Sequence, residues 1–182
     1  MSELIDRTEI ITSNTKSFLR LSEAELNFKP SPQSWSIVEI YAHLNITNKT
    51  YISSIIKKMM TSRDVNTRNV KSGWLASWVY ERLMPRADGT VYKASSPKNF
   101  CSTTKKSAFK VMNEFLEQQD IMYDILQHAS TKDLDDITVP FYYSKLLSFS
   151  LGNTLRFIAA HNERHLMQAY QVMEKIPMVQ KG

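Results

Sequence analysis

Apolar residues recur at helical spacing in four long stretches of this 182-residue chain, with prolines, glycines and polar clusters marking the breaks between them. Over residues 2–20, Leu4, Ile11 and Phe18 fall at intervals of seven, with Thr8 and Leu19 beside them, and predict a first helix. Pro30 and Pro32 then impose a loop through Asn27-Phe28-Lys29-Pro30-Ser31-Pro32-Gln33-Ser34-Trp35, because a helix interior tolerates neither ring. Ser36-Ile37-Val38-Glu39 has the form of a capping box and opens a second helix that runs to about Met60, with Trp35 placed to staple onto Ile40. Phe109, Met112, Leu116, Gln119, Tyr123 and Leu126 set a 3-4 rhythm for a third helix over about 104–128. The fourth starts near Ser148 or Ser150, ends near Lys175-Ile176-Pro177, and carries Leu151, Leu155, Ile158, His161, His165, Gln168 and Val172 on one stripe. Between the second and third helices, residues 61–103 are expected to hold a short helix over Trp74–Met84, stopped by Pro85, and turns at Asp88-Gly89 and Ser96-Pro97. Between the third and fourth, Val139-Pro140-Phe141-Tyr142-Tyr143 reads as an extended apolar piece. The pattern predicts an all-α, four-helix bundle, one domain over 1–182, whose long connection between helices 2 and 3 permits a crossover.

Composition sharpens this reading. Four glycines and six prolines are too few for a turn-rich β-sandwich. One cysteine, Cys101, excludes an internal disulfide framework and a cysteine-based zinc site. No stretch reaches the ~18 apolar residues of a membrane span, and the acidic opening Met1-Ser2-Glu3-Leu4-Ile5-Asp6 is unlike a signal peptide, so a cytoplasmic protein without membrane partners is expected. The net charge of +5 is uneven: residues 57–110 carry twelve Lys/Arg and three acids, a local +9 against −4 elsewhere. A positive field favours anions or nucleic acid. The charges are scattered, however, without interleaved stacking aromatics, and a solvated basic connector explains them better than a nucleic-acid partner.

The chemistry lies in the histidines. His161 and His165 stand four residues apart, which on a helix stacks two imidazoles on one face at positions where leucine would be the bland choice. His43, on the second turn of the second helix, supplies a third imidazole if those helices are neighbours, and three neutral imidazoles suit one divalent ion. Ordinary buried histidines satisfied by hydrogen bonds explain the same spacing. The His-Glu-x-x-His signature is absent, and Glu163, two positions from each histidine, points away from them. His128, at the end of the third helix, suits the C-terminal carbonyls there. Gln168, and more weakly Glu39, Asn45 and Thr47, are placed to orient the imidazoles; Arg164 suits a salt bridge or an anion clamp. Tyr142 and Tyr143 are within loop reach of the site mouth, and Trp35, Trp74 and Trp78 read as packing anchors.

Two segments resemble a known family. Trp35-Ser36-Ile37-Val38-Glu39-Ile40-Tyr41-Ala42-His43-Leu44 resembles the second-helix signature of the DinB/YfiT-like superfamily, and His161-Asn162-Glu163-Arg164-His165-Leu166-Met167-Gln168 resembles its closing His-x-x-x-His-x-x-Gln; the Lys29-Pro30 loop is similar too. The resemblance implies a four-helix bundle whose histidine triad, here His43, His161 and His165, binds a divalent metal, zinc or nickel. It also implies a small-molecule substrate, a low-molecular-weight thiol in the S-transferase members or water in the hydrolases, and a homodimer in many members. The competing expectations are a metal-dependent enzyme, a non-enzymatic metal- or ligand-binding bundle and, on the basic middle alone, a nucleic-acid binder.

Overall fold

A computed structural model describes residues 1–63, 81, 106–143 and 147–177. Helix α1 spans Ser2–Phe18, a short α2 spans Glu23–Leu26, α3 spans Ile37–Met60, α4 spans Ala108–Ala129 and α5 spans Leu151–Met173; strands β1 (Thr138–Pro140) and β2 (Ser148–Ser150) lie between α4 and α5. The four long helices are those the periodicity predicts. Apart from Glu81, which is helical, the short helix expected over 74–84 lies outside the described residues, as do the turns at 88–89 and 96–97 and Trp74, Trp78 and Cys101.

Helix starts are written in local hydroxyl chemistry. Ser36 accepts the Glu39 amide at 3.2 Å while the Glu39 carboxylate accepts the Ser36 amide at 3.0 Å, the expected capping box. Ser22 and Glu25 make a second such box, which the periodicity did not flag, and it nucleates α2. That helix has a purpose: Glu23 accepts the backbone amide of Ala108 at 2.6 Å, capping α4 together with Ser107. Ser150 caps α5.

The core divides into two apolar halves. In one, Leu4 of α1 meets Ile52, Ile55 and Met59 of α3, Met122, Ile125 and Leu126 of α4, and Leu151, Leu155 and Ile158 of α5. In the other, Ile11 and Phe18 meet Ile37, Ile40 and Leu44, then Val111, Met112 and Phe115, then Leu166, Ala169 and Val172. Direction follows from which ends meet: α1 and α5 run one way, and α3 and α4 the other. Consecutive parallel helices cannot be joined by a tight turn, so the long connection serves a crossover, as its length permitted. Each of α3 and α1 packs against both α4 and α5.

Two sequence details shift. The buried face of α4 is Val111, Met112, Phe115, Gln118, Gln119, Met122, Ile125 and Leu126, whereas Phe109 and Tyr123 are exposed. Of the expected stripe, Met112, Gln119 and Leu126 are buried, and its other half is displaced by one residue, because Leu116 and Tyr123 matched the rhythm as well as Phe115 and Met122 did. The extended piece at 139–143 is in part a strand: Val139 pairs with Phe149 in a two-stranded antiparallel ladder. The bundle therefore carries a small hairpin beside its entry to α5.

Between the two apolar halves runs a polar layer. It holds Thr8 on α1, Asn45, Thr47 and Asn48 on α3, Gln118 and Gln119 on α4, and His161, Asn162 and His165 on α5, all buried. Both side-chain polar atoms of Asn48 and of Gln119 lack a hydrogen-bond partner among the described residues. Leaving such groups buried is costly. A cross-section of the bundle thus gives up apolar packing, and the histidines sit within it.

Candidate metal centre

His43 comes from α3, and His161 and His165 come from successive turns of α5. Because α3 and α5 are neighbours, the three rings converge: their centroids are 5.2 Å apart for His43–His161, 4.7 Å for His43–His165 and 4.6 Å for His161–His165. One nitrogen from each lies within 4.8 Å of the others. The Nε2 atoms of His43 and His161 are 3.3 Å apart. Two nitrogens bound to one tetrahedral ion at ~2.0–2.1 Å stand about 3.3 Å from each other, so this pair already has the spacing of shared ligands. All three histidines are buried, at 0%, 4% and 7% exposure.

The protonation state suits a cation. Burial, then the neighbouring His165, His43 and Arg164, hold the His161 imidazole well below its usual range. Burial and then His43 bring His165 down to about 3, with the Gln168 bond opposing the shift. Both rings are neutral at pH 7, the form that donates a lone pair. His165 Nδ1 and Gln168 Oε1 are 2.9 Å apart, which makes Nδ1 the protonated nitrogen and turns Nε2 toward the other rings. Gln168 is therefore an orienting group. Trp35 is more than a packing anchor: its ring lies 5.1 Å from that of His43 and stacks at 6.1 Å on that of His165, covering one side of the cluster. On the other side Phe157 stacks at 5.7 Å on His161.

Other expected residues fall as follows. Glu39 is held by the capping box and by Lys29 at 2.8 Å, so it serves the helix start. Asn45 donates to the Val111 carbonyl at 2.9 Å, away from the histidines. Glu163 receives a two-pronged bond from Arg7 at 2.5 and 2.6 Å, which fixes α1 on α5 and turns the carboxylate away from the histidines. His128 meets the Asp124 carbonyl at 2.8 Å in the last turn of α4. Arg164 is buried, and burial pulls its pKa down. Tyr142 meets Tyr51 edge to face and lines an outer groove with Lys49, Thr50, Ser53, Ser54, Lys57 and Lys58. Tyr143 does reach the cluster: its hydroxyl is 3.2 Å from His161 Nε2 and 3.4 Å from Thr47 Oγ1. The sequence signal for Tyr143 was weak, since only the hairpin that folds 138–150 back over α5 brings it there.

Among the described residues no helix is long and apolar enough to cross a membrane. A search of curated proteins finds no match. The fold is similar to that of YfiT from Bacillus subtilis, described as a probable metal-dependent hydrolase with an unusual four-helix bundle topology. The TM-score is 0.59 at 11% identity, over 95% of this chain and 85% of that one. The family model of the DinB superfamily matches residues 8–169, so the chain belongs to the DinB superfamily.

Proposed function

We propose that His43, His161 and His165 hold one divalent metal ion, zinc or nickel, and that the protein is a metal-dependent enzyme acting on a small molecule. The observation that carries this reading is the convergence of three buried imidazole nitrogens within 4.8 Å on two neighbouring helices. Three protein ligands leave one coordination position open, the arrangement of catalytic rather than structural sites. A metal held there would lower the pKa of a bound water or thiol and so supply a nucleophile near neutral pH. The chain's own groups do the remaining work: Gln168 fixes the tautomer of His165, and Trp35 and Phe157 exclude water from two sides. The description of YfiT favours water as the nucleophile, hence a hydrolase; a low-molecular-weight thiol, hence S-transfer, is the related alternative. With Glu163 tied to Arg7, proton transfer does not fall to that carboxylate.

Purified without an affinity tag and exposed to zinc or nickel, the protein should retain about one equivalent of metal. It should then turn over ester, amide or thiol-plus-electrophile substrates, and His43→Ala should abolish both retention and turnover. Retention below about 0.2 equivalents would remove the metal. Retention without turnover on any of these substrates would favour the non-enzymatic binding protein. We further propose a soluble cytoplasmic protein that pairs as a homodimer, to be checked by fractionation and light scattering.

A further inference from the structure

Tyr143 reaches the histidines from outside the bundle. Its ring is fixed by Phe141 at 5.6 Å and Phe157 at 5.9 Å, so the hydroxyl points inward rather than to solvent. There it stands 3.2 Å from His161 Nε2, with Thr47 Oγ1 at 3.4 Å on its other side. The same Nε2 faces His43 Nε2 at 3.3 Å and is the nitrogen turned toward the cluster. Its single lone pair cannot serve both a phenol and a cation. Once it is engaged by a cation, the Tyr143 O–H turns to another acceptor, either Thr47 Oγ1 or a group of a bound ligand, since a buried hydroxyl without one is costly. The electrostatics say which acceptor. Three neutral imidazoles cancel none of a divalent ion's charge, and no carboxylate of a described residue joins the cluster. The open side therefore favours an anion.

We propose that Tyr143 is a substrate-binding residue that donates a hydrogen bond to a carboxylate or similar oxyanion group seated beside the three histidines, while Thr47 donates to the phenol oxygen and holds it in place. The substrate class is then an oxyanion-bearing small molecule. This inference rests on the metal reading above, and its test keeps the two apart.

The protein loaded with Co(II), which reports through visible absorption, is titrated with acetate as the wild type, Tyr143→Phe and Thr47→Val. Phenylalanine keeps the ring packing and removes only the hydroxyl. We expect Tyr143→Phe to weaken acetate binding roughly ten- to a hundredfold, as for loss of a hydrogen bond to a charged acceptor. Thr47→Val should weaken it by less, and the Co(II) dissociation constant should stay within about twofold in both variants. An acetate constant equal in wild type and Tyr143→Phe, or no acetate binding to either, overturns the role of Tyr143 and leaves the metal reading standing. A loss of Co(II) affinity beyond about tenfold in Tyr143→Phe overturns it differently, by making the phenol a metal ligand. No Co(II) uptake by the wild type overturns the metal reading and this inference together.

Discussion

Acidification of the metal-free protein should destabilise it through the histidine cluster, and His165 sets the magnitude. An unfolded-chain imidazole titrates near 6.5, whereas in the fold His165 is brought down to about 3 by burial and by His43. The folded state therefore binds fewer protons than the unfolded state between those two values. Stability is fully present above pH 6.5 and is lost as pH falls toward 3. The slope is about 1.4 kcal/mol per pH unit, so His165 alone should remove about 2 kcal/mol between pH 7.5 and pH 5. His161 is shifted the same way and adds to the loss. Against a typical total of about 5–15 kcal/mol this is easily measured. Carboxylates also titrate at low pH, so the contribution is isolated by difference. Urea unfolding of EDTA-treated wild type and His165→Asn at pH 7.5, 6.5, 5.5 and 5.0 should show the wild type losing about 2 kcal/mol more than the variant. Equal pH dependence in the two proteins, or a wild type that gains stability on acidification, would refute the reasoning.

Other consequences are as concrete. Gln168→Leu should cost ten- to a hundredfold in zinc affinity at little cost in stability, because the tautomer of His165 is no longer fixed; competition with a chromophoric chelator measures it. Arg7→Ala should destabilise by roughly 1–3 kcal/mol in urea, since it strands the partly buried Glu163 carboxylate, and the double variant with Glu163→Ala should recover part of that loss. Asn48→Leu should raise the urea midpoint, by about 1–3 kcal/mol in free energy, since it removes two buried atoms without partners among the described residues; a fall would mean that these atoms are satisfied by ordered water or by the rest of the chain. Zinc should raise the melting temperature of the wild type but not of His43→Ala, and its benefit should shrink below pH 6.5 as protons compete for the ligands.

What the sequence disclosed follows the range of the physics. The start of α3 was legible because Ser36 and Glu39 cap it locally, whereas the same box at Ser22 and Glu25 went unread because the four-residue α2 is too short to show periodicity; α5 was legible because its stripe from Leu151 to Val172 holds one face throughout. The face of α4 was half legible: Met112, Gln119 and Leu126 were placed, but Leu116 and Phe115 are apolar alternatives one position apart and only the packing against α3 selects Phe115. The hairpin was missed because three-residue strands are too short to show alternation. The histidines could be nominated from α5 alone, yet their meeting with His43 depends on α3 and α5 being neighbours across 118 residues. The Arg7–Glu163 pair, 156 residues apart, has no local signal at all. Trp35 was readable as an anchor beside the cap, but its contact with His43 and His165 follows from the same tertiary pairing.

Crystals grown with zinc and measured at its absorption edge test the central claim most directly. The account predicts one anomalous peak about 2.0–2.1 Å from a nitrogen of each of His43, His161 and His165. A peak bound elsewhere, or none at this cluster in fully loaded protein, would contradict it.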